Sequence, residues 1–148
     1  MKIIHCADIH LDSRMSANLT REKARERRTE LLATFQNMVA YGVSHGVDAI
    51  LIAGDLFDTK NVSATARNVV RDLIQGNPGI AFYYLQGNHD EGSFVGGLAE
   101  IPENLHLFGD SWTSYHLSEK VCITGVELHP ENSGSIYHTL SLDTDQIN

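Results

Sequence analysis

The sequence predicts an α/β domain in which helices flank a parallel sheet. Three short apolar runs, at residues 3–7, 48–53 and 80–85, have the length and composition of buried strands. Two longer segments with helical periodicity separate them. This β-α-β-α-β order favours parallel strands, because each helix returns the chain to the starting edge of the sheet. At 148 residues the chain has the length of one domain.

The first strand and the two helices have recognisable boundaries. If the first strand continues through residues 8–10, the alternation of side chains along it places Asp8 and His10 on the same side of the strand. The first helix is predicted at 20–44, and Ser63 is the expected N-cap of a second helix at 64–75. The core stripe of the first helix recurs every three or four residues and comprises Leu31, Leu32, Phe35, Met38, Val39 and Val43.

The second half of the chain is less regular. It contains a glycine-rich segment, a predicted short helix at 94–100 and short strands at 105–108, 112–117 and 121–126. Residues 130–148 are mostly polar, with Leu140, Leu142 and Ile147 as expected apolar anchors. The sequence has no repeat of solenoid length and no low-complexity tract.

Composition and charge narrow the possible function classes. The formal net charge of −8 argues against a general polyanion-binding surface, although bound cations could reverse the charge locally. No apolar run approaches the ~20 residues of a membrane span, and the N-terminus does not have the pattern of a signal peptide. Cys6 and Cys122 both lie in apolar runs and are expected to be reduced thiols. We therefore expect a cytoplasmic protein.

Polar residues follow each of the three predicted strands directly. Asp8 and His10 follow the first, Asp55 the second and Asn88 the third. The carboxyl ends of parallel strands share one edge of a sheet, so these side chains are expected to converge. Mixed nitrogen and oxygen ligands suit Mn²⁺, Fe²⁺ or Zn²⁺ better than Ca²⁺. The pattern predicts a dinuclear centre bridged by Asp55, of the kind that hydrolyses phosphate esters.

Two further residues are candidates for catalysis. His89, next to Asn88, could protonate the leaving oxygen as a general acid. Asp58 could hold the His89 imidazole in the correct orientation. Each short motif alone is common turn chemistry, and only the three together favour a metal centre. His5 is expected to be a core histidine, and His45, His106, His116, His129 and His138 are expected to be structural or surface residues.

These residues resemble the first three motifs of the calcineurin-like metallophosphoesterase superfamily. The motifs are Asp8-x-His10, Gly54-Asp55-x-x-Asp58 and Gly87-Asn88-His89-Asp90. The sequence in and around them is similar to that of the SbcD-type nuclease subunits. The resemblance implies a β-sandwich flanked by helices, with two Mn²⁺ held by Asp8, His10, Asp55 and Asn88 and with His89 as the catalytic acid. It also implies a DNA exonuclease of repair or recombination, an SbcC-like ATPase partner and a homodimer.

The sequence departs from this family in one respect. The later Gly-His and Gly-His-x-His motifs, which complete both metal sites in the family, do not occur in these 148 residues. The expectation is therefore a C-terminally truncated domain over 1–148, with the first half of the sandwich and part of the second. It would bind at most one metal ion and have little or no activity.

Two other functions are compatible with the same motifs. One is a phosphatase or phosphodiesterase for small phosphate esters, and the other is a non-catalytic interaction module on the same scaffold. A basic run could favour DNA, but it alternates with Glu22, Glu26 and Glu30, which is typical of a solvated, salt-bridged helix face. The run comprises Arg21, Lys23, Arg25, Arg27 and Arg28.

Overall fold

The structure is a computed structural model that describes residues 1–15, 19–58, 62–87 and 94–148. The chain divides into two compact units, Met1–His106 and Leu107–Asn148. Each unit is described by itself below. Among the described residues, no helix has both the length and the apolar character needed to cross a membrane.

A four-stranded sheet forms the centre of the first unit. Its strands are β1 (Ile3–Cys6), β2 (Ala49–Ala53), β3 (Ala81–Leu85) and β4 (Leu105–Leu107), in the order β1-β2-β3-β4. The first three strands are parallel: Ile3 pairs with Ala49, which in turn pairs with Ala81. The predicted parallel α/β sheet is confirmed, and the carboxyl ends of β1, β2 and β3 lie along the same edge.

Two helices connect these strands, and local capping signals determine their ends. Helix α1 is Arg21–His45, with Thr20 as N-cap and Gly46 in the left-handed conformation at its C-terminus. Helix α2 is Ala64–Gln75, and the Ser63 hydroxyl accepts a hydrogen bond from the Ala66 amide at 3.2 Å. The predicted boundaries of α2 and its Ser63 cap are therefore confirmed.

The core of the first unit lies between the helices and the sheet. Its fully buried side chains come from both helices and from the two central strands; they include Phe35, Val39, Val70, Ile74, Ile50, Ile52, Phe82 and Tyr84. Burying each such side chain contributes about 1.5–3 kcal/mol. Gly42 of α1 is also buried, and a Cβ there would lie 3.4–3.7 Å from side-chain atoms of Ile80, Ile4 and Ile50.

Two predictions about burial in the first unit were wrong. Val43 was expected in the core stripe of α1, but it is 54% exposed, and the neighbouring Gly42 faces the sheet instead. His5 was expected in the core, but β1 is an edge strand and His5 is exposed. Cys6 on the same strand is half-buried as a free thiol, and burial raises the pKa of that thiol to about 11.

One amide side chain links three segments of the first unit. Asn104 Nδ2 donates to the carbonyl oxygens of Ile74 at 2.8 Å, Asn77 at 3.1 Å and Ile80 at 3.0 Å. These carbonyls belong to the end of α2, the following turn and the residue before β3. The Asn104 carbonyl also accepts the Phe82 amide at 2.8 Å. The Ile74 and Asn77 carbonyls also accept the Asn77 and Ile80 amides, so Asn104 adds a second donor to both and ties this turn to the segment before β4.

The second unit contains an antiparallel hairpin. Strand β5 (Thr113–Ser118) pairs with β6 (Val121–Gly125), and the tail adds a parallel bridge between Val121 and Ile147. The predicted strands are confirmed to within a few residues. The side chains of the expected apolar anchors Leu140, Leu142 and Ile147 are exposed, so they do not hold the tail by burial, and Ile147 contributes only backbone hydrogen bonds. Ile136 is buried instead, and its carbonyl accepts the Trp112 indole N–H at 2.8 Å.

Candidate metal centre

The loops that follow β1 and β2 are joined to each other by backbone hydrogen bonds. The Asp8 amide donates to the Gly54 carbonyl at 3.2 Å, and the His10 amide donates to the Asp55 carbonyl at 3.0 Å. The Leu11 amide then donates to Leu56 at 2.8 Å, and Leu11 forms a parallel bridge with Phe57. Leu11, Leu56 and Phe57 are fully buried, so apolar side chains hold both loops against the core.

The backbone of these loops adopts an unusual conformation. Asp8, His10 and Asp55 have positive φ angles of 53°, 52° and 50°. Such angles are uncommon outside glycine and often mark functional sites. They also correct the sequence prediction, because β1 ends at Cys6 and does not continue through residues 8–10. Asp8 and His10 do lie close together, but the turn brings them there and strand alternation does not.

The structure brings together three of the four predicted metal-binding side chains. One potential ligand atom from each of Asp8, His10 and Asp55 lies within 4.8 Å of the other two. Asp8 is exposed, and His10 and Asp55 are half-buried, so an ion could reach the site from solvent. Two carboxylates and one imidazole match the donor set of Mn²⁺, Fe²⁺ or Zn²⁺. The residues present therefore fit a divalent cation.

A third carboxylate, that of Asp58, lies beside the histidine of this cluster. His10 Nδ1 lies 3.1 Å from Asp58 Oδ1, and His10 Nε2 lies 3.9 Å from Asp8 Oδ1. The Ser13 hydroxyl donates to Asp58 Oδ2 at 2.6 Å, which fixes the carboxylate. A histidine that binds metal through one nitrogen commonly donates its other N–H to a carboxylate. Asp58 has the correct position for this supporting role.

Two glycines allow the ends of β2 and β3 to approach each other. A Cβ built at Gly54 would lie 3.4 Å from the Gly87 Cα. A Cβ at Gly87 would overlap the Asp55 carboxylate and its backbone amide. Gly54 also has a φ of 89°, which a side chain rarely tolerates. Glycine at both positions therefore leaves space for Asp55.

The third predicted motif lies, after Gly87, outside the described part of the chain. Asn88, His89 and Asp90 lie outside the described residues, so the proposed contact between Asp58 and His89 stays a prediction. The contacts that the structure gives Asp58 are with His10 and Ser13. Sequence reasoning did not identify Ser13 or the packing role of Gly87. The repeated glycine at the two strand ends was the available signal for Gly87.

The comparisons with known proteins agree with this arrangement. The family model described as calcineurin-like phosphoesterase matches residues 1–146. The metallophosphoesterase YhaO of Bacillus subtilis is 33% identical over 115 residues, which is 75% of this chain and 28% of the relative. The DNA double-strand break repair protein Mre11 of Methanosarcina mazei is 28% identical over 136 residues, covering 89% of this chain and 21% of the relative.

A component of a nuclease is also similar. The SbcD component of the nuclease SbcCD of Escherichia coli K12 is 30% identical over 92 residues, covering 61% of this chain and 21% of the relative. The chain thus spans about a fifth to a quarter of the length of these relatives. The match over 146 residues and the carboxylate–histidine cluster at the sheet edge lead to one conclusion. This chain belongs to the calcineurin-like phosphoesterase family.

Proposed function

We propose that this chain is the metal-binding part of a phosphodiesterase that hydrolyses DNA, in the manner of an SbcD-type nuclease. The observation that carries the proposal is the convergence of Asp8, His10 and Asp55 at the joined ends of β1 and β2. The similarity to proteins named as part of a nuclease and as a DNA break repair protein supports DNA as substrate. An SbcC-like ATPase partner and a homodimer are part of the same proposal.

The residues divide into ion-binding, supporting and acid–base groups. In this proposal Asp8, His10 and Asp55 hold one divalent ion, with Mn²⁺ preferred, and Asp55 and Asn88 face a second. A bound divalent ion polarises a phosphate oxygen and lowers the pKa of water. Asp58 orients His10, Ser13 orients Asp58, and His89 donates a proton to the leaving oxygen. Asp58 can also act on His89, as the sequence predicts.

The number of ions is limited by the number of protein ligands. The first ion has three side chains, whereas the second has only Asp55 and Asn88 among the candidates. Two ligands rarely hold an ion of this type against water. We expect calorimetric titration of the 148-residue chain with Mn²⁺ to show one weak site. Asp55→Asn should abolish it, and Glu119→Gln, an exposed carboxylate in the second unit, should leave it unchanged.

The absence of an effect of Asp55→Asn on Mn²⁺ binding would overturn the proposed site. Two tight sites per chain, or robust DNA cleavage by the chain, would overturn the expected ion count and low activity. Either of these last two results would indicate that other side chains complete the centre.

The substrate class can be tested by binding, without turnover. Mn²⁺ bound to a protein enhances water proton relaxation, and a substrate that occupies the site changes this enhancement. We expect a DNA oligonucleotide with a phosphorothioate backbone to change it at far lower concentration than glycerol phosphate does. The reverse preference would favour the phosphatase for small esters. No response to either compound would favour the non-catalytic interaction module.

A further inference from the structure

Basic side chains are concentrated in one short part of an otherwise acidic chain. Six of the eleven lysines and arginines lie within residues 14–28, although the whole chain has a formal net charge of −8. The six are Arg14, Arg21, Lys23, Arg25, Arg27 and Arg28. Such a local departure from the average charge is a common feature of surfaces that contact phosphates.

Helix α1 separates its charged residues into rows. Arg21, Arg25 and Arg28 have i, i+4 and i+7 spacing, which places them within about 60° of one another around the helix. Glu22, Glu26 and Glu30 have i, i+4 and i+8 spacing, and they form a separate row about 100–180° from Arg21. Arg21 and Arg25 are exposed, and Arg28 is half-buried. We refer to Arg14, Arg21, Arg25 and Arg28 as the arginine ridge.

The expected salt-bridged helix face is largely absent. Arg27 pairs with Glu30 at 2.6 Å, but within the described part of the chain Arg14, Arg21 and Arg25 form no ion pair. Their charges are therefore not neutralised by described carboxylates. This observation replaces the interpretation of the run as a salt-bridged surface, at least for the residues of the ridge.

The arginine ridge is connected to the candidate metal centre. The Arg28 guanidinium lies 3.5 Å from the Arg14 carbonyl oxygen. Arg14 directly follows Ser13, whose hydroxyl binds the Asp58 carboxylate that contacts His10. The exposed Arg14 side chain is thus close in sequence to the cluster, and the contact with Arg28 joins the loop to the helix. All these residues lie in the first unit.

We propose that the arginine ridge binds the phosphodiester backbone of DNA beside the phosphate that occupies the metal centre. This inference rests on the proposed function and adds the surface that selects a polymer over a small ester. The distance along the helix from Arg21 to Arg28 is about 10 Å, similar to the rise of about three base pairs. Guanidinium groups bind phosphate oxygens in a bidentate manner, which suits this contact.

Two double variants with equal changes in charge test the proposal. Arg21→Gln/Arg25→Gln removes two residues of the ridge, whereas Lys23→Gln/Arg27→Gln removes two positive charges elsewhere on the same helix. Binding of a fluorescein-labelled DNA duplex to the 148-residue chain is measured by anisotropy at several salt concentrations. Ca²⁺ replaces Mn²⁺ to suppress cleavage. Circular dichroism and thermal unfolding check that both variants fold.

We expect the ridge variant to bind DNA at least about tenfold more weakly and the control variant to change less than about twofold. The slope of log affinity against log salt should fall by about two for the ridge variant, since each lost phosphate contact contributes ~0.9. Equal losses of DNA affinity in both variants would overturn the proposed role of the ridge, because the change in net charge alone would explain them. Unchanged binding in the ridge variant, or no DNA binding by the parent chain, would also overturn it.

Mn²⁺ titration separates this inference from the proposed function. The ridge variant should keep the Mn²⁺ affinity of the parent chain, because none of its altered residues belongs to the metal cluster. If the parent chain binds DNA through the ridge but binds no Mn²⁺ through Asp55, the result contradicts the proposed metal site and supports the DNA-binding role of the ridge. If Mn²⁺ binds but the two double variants bind DNA equally, the result contradicts the DNA-binding role of the ridge and supports the proposed metal site.

Discussion

Asp58 and His10 form a carboxylate–imidazole pair with 3.1 Å between Oδ1 and Nδ1. An ionised carboxylate only accepts hydrogen bonds, so the pair is matched when the imidazole hydrogen is on Nδ1. The Nε2 lone pair is then available on the side that faces Asp8. The Ser13 hydroxyl completes the chain of contacts by donating to Asp58 Oδ2. Ser13 and Asp58 together therefore favour an orientation of the His10 imidazole in which Nε2 can bind an ion.

The first prediction concerns this pair. Asp58→Asn should lower the Mn²⁺ affinity of the chain about ten- to a hundredfold, because the supporting carboxylate of a metal-binding histidine is lost. Calorimetric titration provides the measurement. Asp72→Asn, an exposed carboxylate on α2, should leave the affinity unchanged. An unchanged Mn²⁺ affinity in Asp58→Asn would contradict the supporting role and would favour an action of Asp58 on His89 alone.

The second prediction concerns the close approach at Gly87. Gly87→Ala should displace the Asp55 carboxylate and abolish measurable Mn²⁺ binding, because the new methyl group would occupy the position of Asp55. Overpacking of this kind costs about 1–3 kcal/mol in the free energy of unfolding. Chemical denaturation and Mn²⁺ titration measure the two effects. Gly79→Ala is the control, since no atom lies within 4 Å of a Cβ there; equal behaviour of the two variants would contradict the packing argument.

The third prediction concerns the Asn104 amide. Asn104→Ala should lower the free energy of unfolding by about 1–3 kcal/mol, because it removes hydrogen bonds to three carbonyl groups, of which those of Ile74 and Asn77 keep backbone donors. Urea denaturation followed by circular dichroism measures the change. Asn148→Ala removes an exposed amide that binds the Asp143 and Gln146 carbonyls, and it should cost less than about 0.5 kcal/mol. Similar losses for both variants would refute the role given to Asn104.

The fourth prediction concerns pH. Burial lowers the pKa of His106, whose ring stacks on Tyr83 with centroids 4.8 Å apart. The folded state therefore favours neutral imidazole, and this stabilisation is present above the ordinary histidine pKa of ~6.5 and is lost as pH falls below it. NMR titration should give His106 a lower pKa in the folded chain than in urea. His106→Gln should reduce the loss of stability between about pH 6.5 and 5, and an unchanged profile would contradict this.

Local signals made the order of elements predictable. The bounds of α2 follow from the Ser63 cap and from the Gly76-Asn-Pro-Gly79 break, which act within a few residues. The parallel strands follow from three apolar runs separated by helices. His5 was misassigned because a single sequence does not indicate that β1 forms the edge of its sheet. Val43 was misassigned because a small shift around α1 exchanges it with Gly42.

The site was less predictable than the fold. Residue type and strand ends identified Asp8, His10 and Asp55, but the positive φ angles that bring them together are set by the paired loops. The contact between Ser13 and Asp58 joins residues 45 positions apart. A single sequence contains no periodicity or motif that indicates a contact between residues so far apart. Tertiary packing therefore determined what the motifs could not.

The left-handed backbone at positions 8, 10 and 55 restricts how this sequence can drift. Asn, Asp, His and Gly tolerate that conformation, whereas β-branched and other bulky residues are strongly disfavoured there. A descendant that abandons metal binding is therefore expected to accumulate asparagine or glycine at these positions before valine or isoleucine. The loops would keep their conformation after metal binding is lost. The backbone of such a protein would therefore still indicate its descent from a metal-binding ancestor.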